Sequence, residues 1–398
     1  MRSLWAMILA GVVAGCSSAP VADLQCPGLV SPLDGTAPLV SRGHDGDGDM
    51  IGQMMLRVLE GDMDARPPAA PDPAPGRVID LNILAISTGG QYGSFASGFL
   101  AGWSKSGTRP DFSVVTGASA GGVIAPLAFA GPSFDDRLGL NAGIGEDDVV
   151  RRRSFLELLG GATALYRTEP FEALVSAAVD APLIETIGAR WEAENELLIG
   201  ATNLSSGRFD ILDVGKFSAR SDLPMATREA CVTSAVLATS AIPGLFPPRQ
   251  INGALYTDAG IREHIFLEGI ERGLAQGEAL FNVDVRVTAY LLINSDLRVR
   301  PDAVEPKLVD IAERSFELVI DEGLRSSLLN SVTVAERAGW RLRAVKAPDY
   351  DTLGCPPDDE IFSACITRRL FEEGEKLALA QPVRWKGPAE VRAAAQEF

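Results

Sequence analysis

The chain has 398 residues, of which 46% are hydrophobic and 22% charged, a composition typical of one or two packed domains rather than of a disordered chain. Its formal net charge of −17 argues against nucleic-acid binding, because neutralising phosphates requires clustered Lys and Arg. The same charge argues against electrostatic attachment to an anionic membrane, so any membrane contact is expected to be apolar or covalent.

Residues 1–15 are predicted to be a secretory signal peptide, in which Arg2 precedes an apolar run too short to span a bilayer. The sequence Val13-Ala14-Gly15-Cys16 resembles a bacterial lipobox, whose cleavage leaves Cys16 as a lipidated N-terminus. A plain signal peptide cleaved nearby is the alternative. With Ser17 after the cysteine, the pattern predicts a lipid-anchored protein of the bacterial cell envelope, in the outer membrane and facing the periplasm or the exterior.

Residues 16–76 are predicted to be a tether that ends in a Pro/Ala linker over residues 67–76. The acidic run over residues 45–49 fails the calcium-loop pattern at two required positions, which favours a solvated turn. A short helix is expected over residues 51–59. The globular domain is predicted to begin near Arg77 and to extend to residue 398.

Four cysteines follow Cys16. In an oxidising compartment Cys355 and Cys365 could form a disulfide across a short loop, and two unpaired thiols are the alternative. The cysteine spacing is no zinc signature, and two histidines supply few further metal ligands. We therefore expect no metal and no other cofactor.

The rest of the chain alternates apolar strands with amphipathic helices. Strands are predicted over residues 78–87, 112–116, 197–202, 209–214, 255–257 and 285–293, and helices over residues 94–104, 228–239, 306–343 (one or two) and 358–380. The first strand is a nearly continuous apolar run, as in a parallel sheet covered on both faces. This alternation predicts an α/β sandwich with a mainly parallel sheet.

Ser119 is the candidate nucleophile. It lies in Gly117-Ala118-Ser119-Ala120-Gly121, a G-x-S-x-G pattern directly after a predicted strand and before an apolar segment. A sharp strand-to-helix turn of this kind presents the serine at its apex, and the glycines avoid side-chain collisions. The N-terminus of the following helix supplies amide donors near the reacting centre. Pro126 is expected to kink or shorten that helix.

A second turn between a strand and a helix contains Gly89, Gly90 and Gly93. Acyl transfer develops negative charge on the carbonyl oxygen, and backbone N–H groups held in place stabilise that charge. The three glycines are therefore the candidate oxyanion hole. A phosphate cradle would use a similar turn, but its glycine spacings are absent. A tight turn without a chemical role is the alternative.

Asp258 follows a short predicted strand in Tyr256-Thr257-Asp258-Ala259-Gly260 and is the candidate general base, although a helix-capping aspartate would look the same. An ordinary hydrolase triad requires a histidine between serine and acid. The chain offers His44, in the predicted tether, and His264, six residues after Asp258. A dyad of Ser119 and Asp258 needs neither histidine, because the carboxylate can take the serine proton directly.

Three blocks in this order resemble the patatin-like phospholipase family: Gly89-Gly90-Gln91-Tyr92-Gly93, the pentapeptide around Ser119, and Asp258-Ala259-Gly260. The resemblance covers about Leu81 to Glu263. It implies a three-layer α/β/α fold and a Ser-Asp dyad that cleaves acyl esters of lipids without a metal. The chain departs from the family at Tyr92, where a basic residue is usual, and at Thr88, which replaces the first of three glycines.

We therefore expect a serine acyl hydrolase that cleaves phospholipid or other acyl ester bonds, with Ser119 and Asp258 as its catalytic pair. Its predicted partners are the lipid substrate and the membrane that holds the lipidated N-terminus, with no nucleic acid. One alternative is an α/β-hydrolase-type esterase that uses His264. The other is a non-catalytic envelope lipoprotein on the same fold, for which Thr88 and Tyr92 are the support.

Overall fold

The computed structural model describes residues 21–30, 50–65, 77–301, 303–356 and 360–396. Within these ranges the strands are β1 Asp23–Leu24, β2 Arg77–Ile86, β3 Val114–Ala118, β4 Arg151–Arg152, β5 Tyr166–Arg167, β6 Glu196–Asn203, β7 Arg208–Asp213, β8 Arg249–Ile251, β9 Ala254–Thr257, β10 Val283–Ile293 and β11 Arg341–Lys346. The first helices are α1 Met50–Ala65, α2 Gly93–Lys105, α3 Ala120–Ala130, α4 Asp135–Leu138, α5 Glu146–Val149, α6 Phe155–Leu159 and α7 Glu169–Ala178. The later helices are α8 Ala181–Glu192, α9 Val214–Ser218, α10 Met225–Thr239, α11 Glu268–Phe281, α12 Leu308–Arg337, α13 Ala364–Leu379 and α14 Pro388–Gln396.

The centre of the main sheet is parallel, with neighbouring strands in the order β6, β3, β2, β10 and β11. Beyond β6 the sheet continues with antiparallel pairs to β7 and β9, and β8 then pairs with β9 and β1. The mixed α/β fold with a mainly parallel sheet is therefore confirmed. Parallel strands bring their carboxyl ends to one edge, where the loops after β2, β3 and β10 meet.

Helices cover both faces of this sheet, because successive side chains of a strand point to opposite sides. On one face Leu84 of β2 belongs to a core that includes Phe99 of α2. On the other face Ile83 belongs to a second core that includes Met55 of α1. This explains why β2 ends in a continuous apolar run over residues 83–86. No helix in the described ranges is long and apolar enough to cross a membrane.

The globular part starts earlier than predicted. Strand β1 pairs with β8, and Cys26 forms a disulfide with Cys231 of α10. Helix α1 is longer than the predicted 51–59 and buries apolar side chains at helical spacing, namely Ile51, Met54, Met55, Val58 and Leu59. The described parts of the predicted tether are therefore packed on the domain that was expected to begin near Arg77. Cys16, the acidic run over 45–49 and the linker over 67–76 lie outside the described residues.

Two further predictions differ in detail from the structure. The region predicted as one or two helices over 306–343 contains a single helix, α12, which ends at Arg337. Residues 341–343 instead begin strand β11, in which Arg341 and Arg343 alternate with apolar residues. Pro126 lies inside α3, which nevertheless continues to Ala130, so the helix is not cut short at the proline. The disulfide between Cys355 and Cys365 is present in the structure.

Candidate active site

Ser119 occupies the turn between β3 and α3 with a positive φ of 52°, a backbone conformation that non-glycine residues rarely adopt. Its backbone N–H donates to Thr239 Oγ1 at 2.9 Å, which holds the turn from helix α10. A Cβ at Gly121 would lie 2.1 Å from the carbonyl oxygen of Ile86, so only glycine permits this approach of α3 to β2. The G-x-S-x-G sequence thus forms the strained turn that presents the serine side chain.

Asp258 follows β9 and lies against Ser119. The Ser119 hydroxyl donates to Asp258 Oδ2 at 2.6 Å, and the backbone N–H of Gly260 donates to Oδ1 at 2.7 Å. Both side chains are buried, with 5% and 6% of each residue exposed. The Asp258 backbone is also fixed, since its N–H donates to Ala241 and its carbonyl accepts from Thr202 Oγ1. One carboxylate oxygen is therefore held by the protein while the other faces the serine.

Burial raises the pKa of Asp258 to about 6, against the opposing effect of the hydrogen bonds from Ser119 and Gly260. At neutral pH the carboxylate is mostly ionised, yet it has a higher proton affinity than an exposed aspartate. This combination suits a group that accepts a proton from a neighbouring hydroxyl and returns it.

The glycine loop over residues 87–93 lies next to this pair. Gly90, Gly93 and Ser119 line the same pocket, and a Cβ at Gly93 would lie 3.0 Å from the Cβ of Ala120. Gly89 packs against Asn294 at the end of β10, where a Cβ would lie 2.0 Å from the Asn294 carbonyl oxygen. Asn294 Nδ2 in turn donates to the Ser87 carbonyl at 3.0 Å. The loop is thus supported by a residue that no motif indicated.

His264 is buried beside the glycine loop, and its hydrogen bond joins Nδ1 to Thr88 Oγ1 at 2.6 Å. The Thr88 N–H also donates to the His264 carbonyl at 3.3 Å. Burial lowers the pKa of His264 to about 4, so the ring is neutral at pH 7. The hydroxyl of Ser119 donates to Asp258 and not to this ring, and His44 lies outside the described residues. Thr88, a departure from the family pattern, is therefore the partner of the histidine.

A cation lies beside the glycine loop although the loop contains none. Arg300, from the segment after β10, donates to the Tyr92 hydroxyl at 3.4 Å and forms an ion pair with Asp296. Its guanidinium also stacks on Tyr350, 4.7 Å from the ring centroid. Burial raises the pKa of Tyr92 to about 12, so its hydroxyl stays protonated. Arg300 was not indicated by the sequence because it is far from the loop along the chain.

The pocket around Ser119 is apolar. It has a volume of about 540 Å³, including the part open to solvent, and side chains such as Val149 and Phe246 line it. A second cavity of about 590 Å³ shares Val123, Ile144 and Phe171 with it and extends along α7. Their walls are mostly apolar, and the first of them reaches Ser119. Among the described residues, no cluster of three or more His, Cys, Asp or Glu could hold a metal ion.

Comparison with known proteins agrees with this geometry. The family model described as patatin-like phospholipase matches residues 84–269, which include the glycine loop, Ser119 and Asp258. No curated protein matches the chain. Among solved structures, the crystal structure of VipD from Legionella pneumophila is similar with 12% sequence identity and a TM-score of 0.35, over 75% of this chain and 66% of that one. The chain thus spans about two thirds of the length of that structure. Residues 84–269, which contain the glycine loop and both members of the Ser119–Asp258 pair, are thus similar to the patatin-like phospholipase family.

Proposed function

We propose that the protein is a serine acyl hydrolase that cleaves acyl ester bonds of phospholipids or other lipids. The match of residues 84–269 to the patatin-like phospholipase family supports lipid acyl hydrolase activity in general. The observation that supports the specific assignment is the 2.6 Å hydrogen bond from the Ser119 hydroxyl to Asp258, inside an apolar pocket. A buried serine donating to a carboxylate of raised pKa is an activated nucleophile with its base in place.

In the proposed reaction Asp258 accepts the Ser119 proton as Oγ attacks the acyl carbonyl carbon. The carbonyl π electrons move to oxygen, and loop N–H groups stabilise the resulting oxyanion. Gly93 already donates within the turn to the carbonyl of Gly90, so Gly89 and Gly90 are the glycines proposed as oxyanion donors. The intermediate collapses, the ester C–O bond breaks, and Asp258 returns its proton to the leaving alcohol. Water then attacks the acyl carbon with Asp258 as base, the bond from that carbon to Ser119 Oγ breaks, and Asp258 returns the proton to Oγ as the fatty acid leaves.

The two neighbouring cavities supply the proposed site for the acyl chain. Val123, Ile144 and Phe171 line both of them, so a chain bound at Ser119 can continue past these residues towards α7 and α8. Mostly apolar walls favour the alkyl portion of a lipid by the hydrophobic effect.

Substitution of the pair tests the assignment. Ser119→Ala and Asp258→Asn should each reduce fatty-acid release from a short soluble ester on the order of 10³-fold or more, because each removes an essential part of one unit. His264→Gln is the matched control, since it keeps a polar partner for Thr88 but no imidazole, and it should retain activity. A fluorophosphonate should label the wild type at Ser119. Full activity of Asp258→Asn, or loss only in His264→Gln, would refute the dyad, and absence of labelling would favour the non-catalytic alternative.

We also propose that the protein is anchored in the bacterial outer membrane through lipidated Cys16, which would place the enzyme next to its substrate. The lipobox-like sequence is the support for this proposal. Fractionation of cells that express Cys16→Ser should find the protein in the soluble fraction. Unchanged membrane retention would show that another segment holds it.

A further inference from the structure

Strands β4 and β5 form an antiparallel ribbon that is separate from the main sheet. Residues 151–167 comprise the two strands and the short helix α6 between them, and we refer to them as the ribbon loop. Ser154 caps α6 by accepting from the N–H of Glu157, whose carboxylate accepts from the N–H of Ser154. The loop is therefore an ordered structure with a defined tip.

The tip of the ribbon loop exposes large apolar side chains in one short run. The exposed fractions are 72% for Phe155, 79% for Leu156, 36% for Leu158 and 63% for Leu159. Single exposed apolar residues are common, but a contiguous group of this size usually marks a surface that binds protein or membrane.

The ribbon loop is basic although the chain is acidic. It contains four arginines and a single glutamate, a net charge of +3 in a protein of −17. Glu157 lies between Arg167, which donates to it, and Arg153 at 3.5 Å. Arg152 is exposed and, within the described chain, forms no salt bridge. Screening at physiological ionic strength acts over about 8 Å, so an approaching surface responds to this local charge more than to the total.

Three acidic residues precede the ribbon loop, and each has a partner. In helix α5, Asp147 pairs with Arg151, Asp148 accepts from the N–H of Gly145, and Glu146 accepts from the N–H of Ile361. Arg151 is therefore paired, and Arg152, Arg153 and Arg167 flank the apolar tip, with Glu157 bound between two of them and the exposed Glu169 two residues after Arg167.

The base of the ribbon loop is joined to the wall of the Ser119 pocket. The N–H groups of Leu165 and Tyr166 donate to the carbonyls of Gly244 and Leu245 at 2.8 and 3.0 Å. Phe246, the next residue, lines the pocket, as does Val149, which lies two residues before the loop begins. A surface that binds the tip of the ribbon loop would therefore lie close to the Ser119 pocket.

We propose that the ribbon loop docks the protein on an anionic lipid surface, with its apolar tip inserted among the acyl chains and its arginines against the head groups. The inference rests on the proposed function, for which it names the physical form of the substrate: a lipid in an anionic interface rather than a dispersed monomer. Apolar residues flanked by Arg are the composition expected at such an interface. The net charge of the whole chain argues against attachment to an anionic membrane, but the ribbon loop is a local basic segment that the total charge does not reveal.

Vesicle sedimentation tests the proposal with the full chain carrying Cys16→Ser and Ser119→Ala, so that neither an acyl anchor nor hydrolysis affects binding. The probes are vesicles of phosphatidylcholine alone and of an equimolar mixture with phosphatidylglycerol. The parent should bind the mixed vesicles more tightly, and Phe155→Ser/Leu156→Ser should weaken binding by about tenfold or more, since two large apolar groups lose their burial. Arg152→Gln/Arg153→Gln should lose the preference for anionic vesicles.

The matched control is Leu308→Ser/Val319→Ser, which removes two apolar side chains that are 84% and 69% exposed on α12. It should bind vesicles like its parent. Unchanged binding by Phe155→Ser/Leu156→Ser, or a change in self-association without vesicle binding, would overturn the proposal; the second result would make the tip a contact between copies. Hydrolysis of a soluble short ester, measured with Ser119 restored, should be unaffected by the tip variant. If no ester is hydrolysed while the binding pattern holds, the proposed function fails and the docking inference stands.

Discussion

At the scale of single residues, the site depends on the different environments of the two oxygens of Asp258. Oδ1 accepts from the backbone of Gly260, and Oδ2 accepts from Ser119. Backbone support orients the carboxylate base, as the aspartate of a triad orients the histidine base. Burial then supplies the raised proton affinity that an exposed aspartate lacks. A histidine is therefore unnecessary in the proposed mechanism.

The raised pKa of Asp258 predicts the pH dependence of the reaction. The base works in its ionised form, so kcat/KM for a soluble ester should be highest above pH 6 and should fall as the pH drops through about 6. His264, with a pKa lowered to about 4, is neutral throughout this range and should not contribute. The measurement is a pH–rate profile of the wild type and His264→Gln. A limb that disappears in the variant would assign it to the histidine.

The sequence sufficed to place Ser119 and Asp258 because each lies in a local pattern of small residues that a sharp turn requires. The residues that support them are distant along the chain and have no local pattern. Thr239 reaches the Ser119 backbone from α10, and Arg300 reaches Tyr92 from the segment after β10. Such contacts depend on which strands are neighbours, and a single sequence does not show strand order.

At the scale of secondary-structure elements, α1 shows how the N-terminal region differs from the predicted tether. The amphipathic pattern over residues 51–59 predicts a helix. The acidic run before it and the proline-rich linker after it are typical of a tether, so the sequence does not indicate that this helix is packed on the domain. The structure joins α1 to the sheet through Arg57, which donates to the Glu196 carboxylate at 2.8 Å and to the Trp191 carbonyl at 2.7 Å. The guanidinium also lies 4.1 Å from the Trp191 ring centroid. Helix α1 is thus part of the core through residues that are distant from it along the chain.

Removal of this contact should destabilise the fold. Arg57→Ala leaves the fully buried Glu196 without its cation, and loss of one partner of a buried pair typically costs about 3–5 kcal/mol. Burial already raises the pKa of Glu196, so its folded form favours the protonated acid, and the loss should be larger at pH 8 than at pH 5. Urea unfolding at both pH values measures it.

The double variant Arg57→Met/Glu196→Gln is the control for that experiment. It removes both charges and keeps most of the packing, so it should recover a large part of the stability that Arg57→Ala loses. If Arg57→Ala unfolds at the same urea concentration as the wild type at pH 8, the pair does not hold α1 on the sheet.

At the scale of the whole molecule, the N-terminal segment is tied to the helix that supports Ser119. Cys26 lies ten residues after Cys16 and is bonded to Cys231 in α10, the helix whose Thr239 binds the Ser119 backbone. If Cys16 carries the proposed anchor, few residues separate the membrane from the domain. The anchor and the ribbon loop would then both hold the Ser119 pocket near the lipid surface.

The two disulfides should contribute unequally to stability. A cross-link stabilises mainly by restricting the unfolded chain, and the bond between Cys26 and Cys231 spans 205 residues whereas that between Cys355 and Cys365 spans 10. Cys26→Ser/Cys231→Ser should therefore lower the free energy of unfolding by about 2–4 kcal/mol, more than Cys355→Ser/Cys365→Ser. Urea unfolding with and without reductant measures both losses, and reductant should have less effect on each variant than on the wild type. Thiol titration of the unfolded wild type should gain four thiols on reduction, and no gain would show that the cysteines are unpaired.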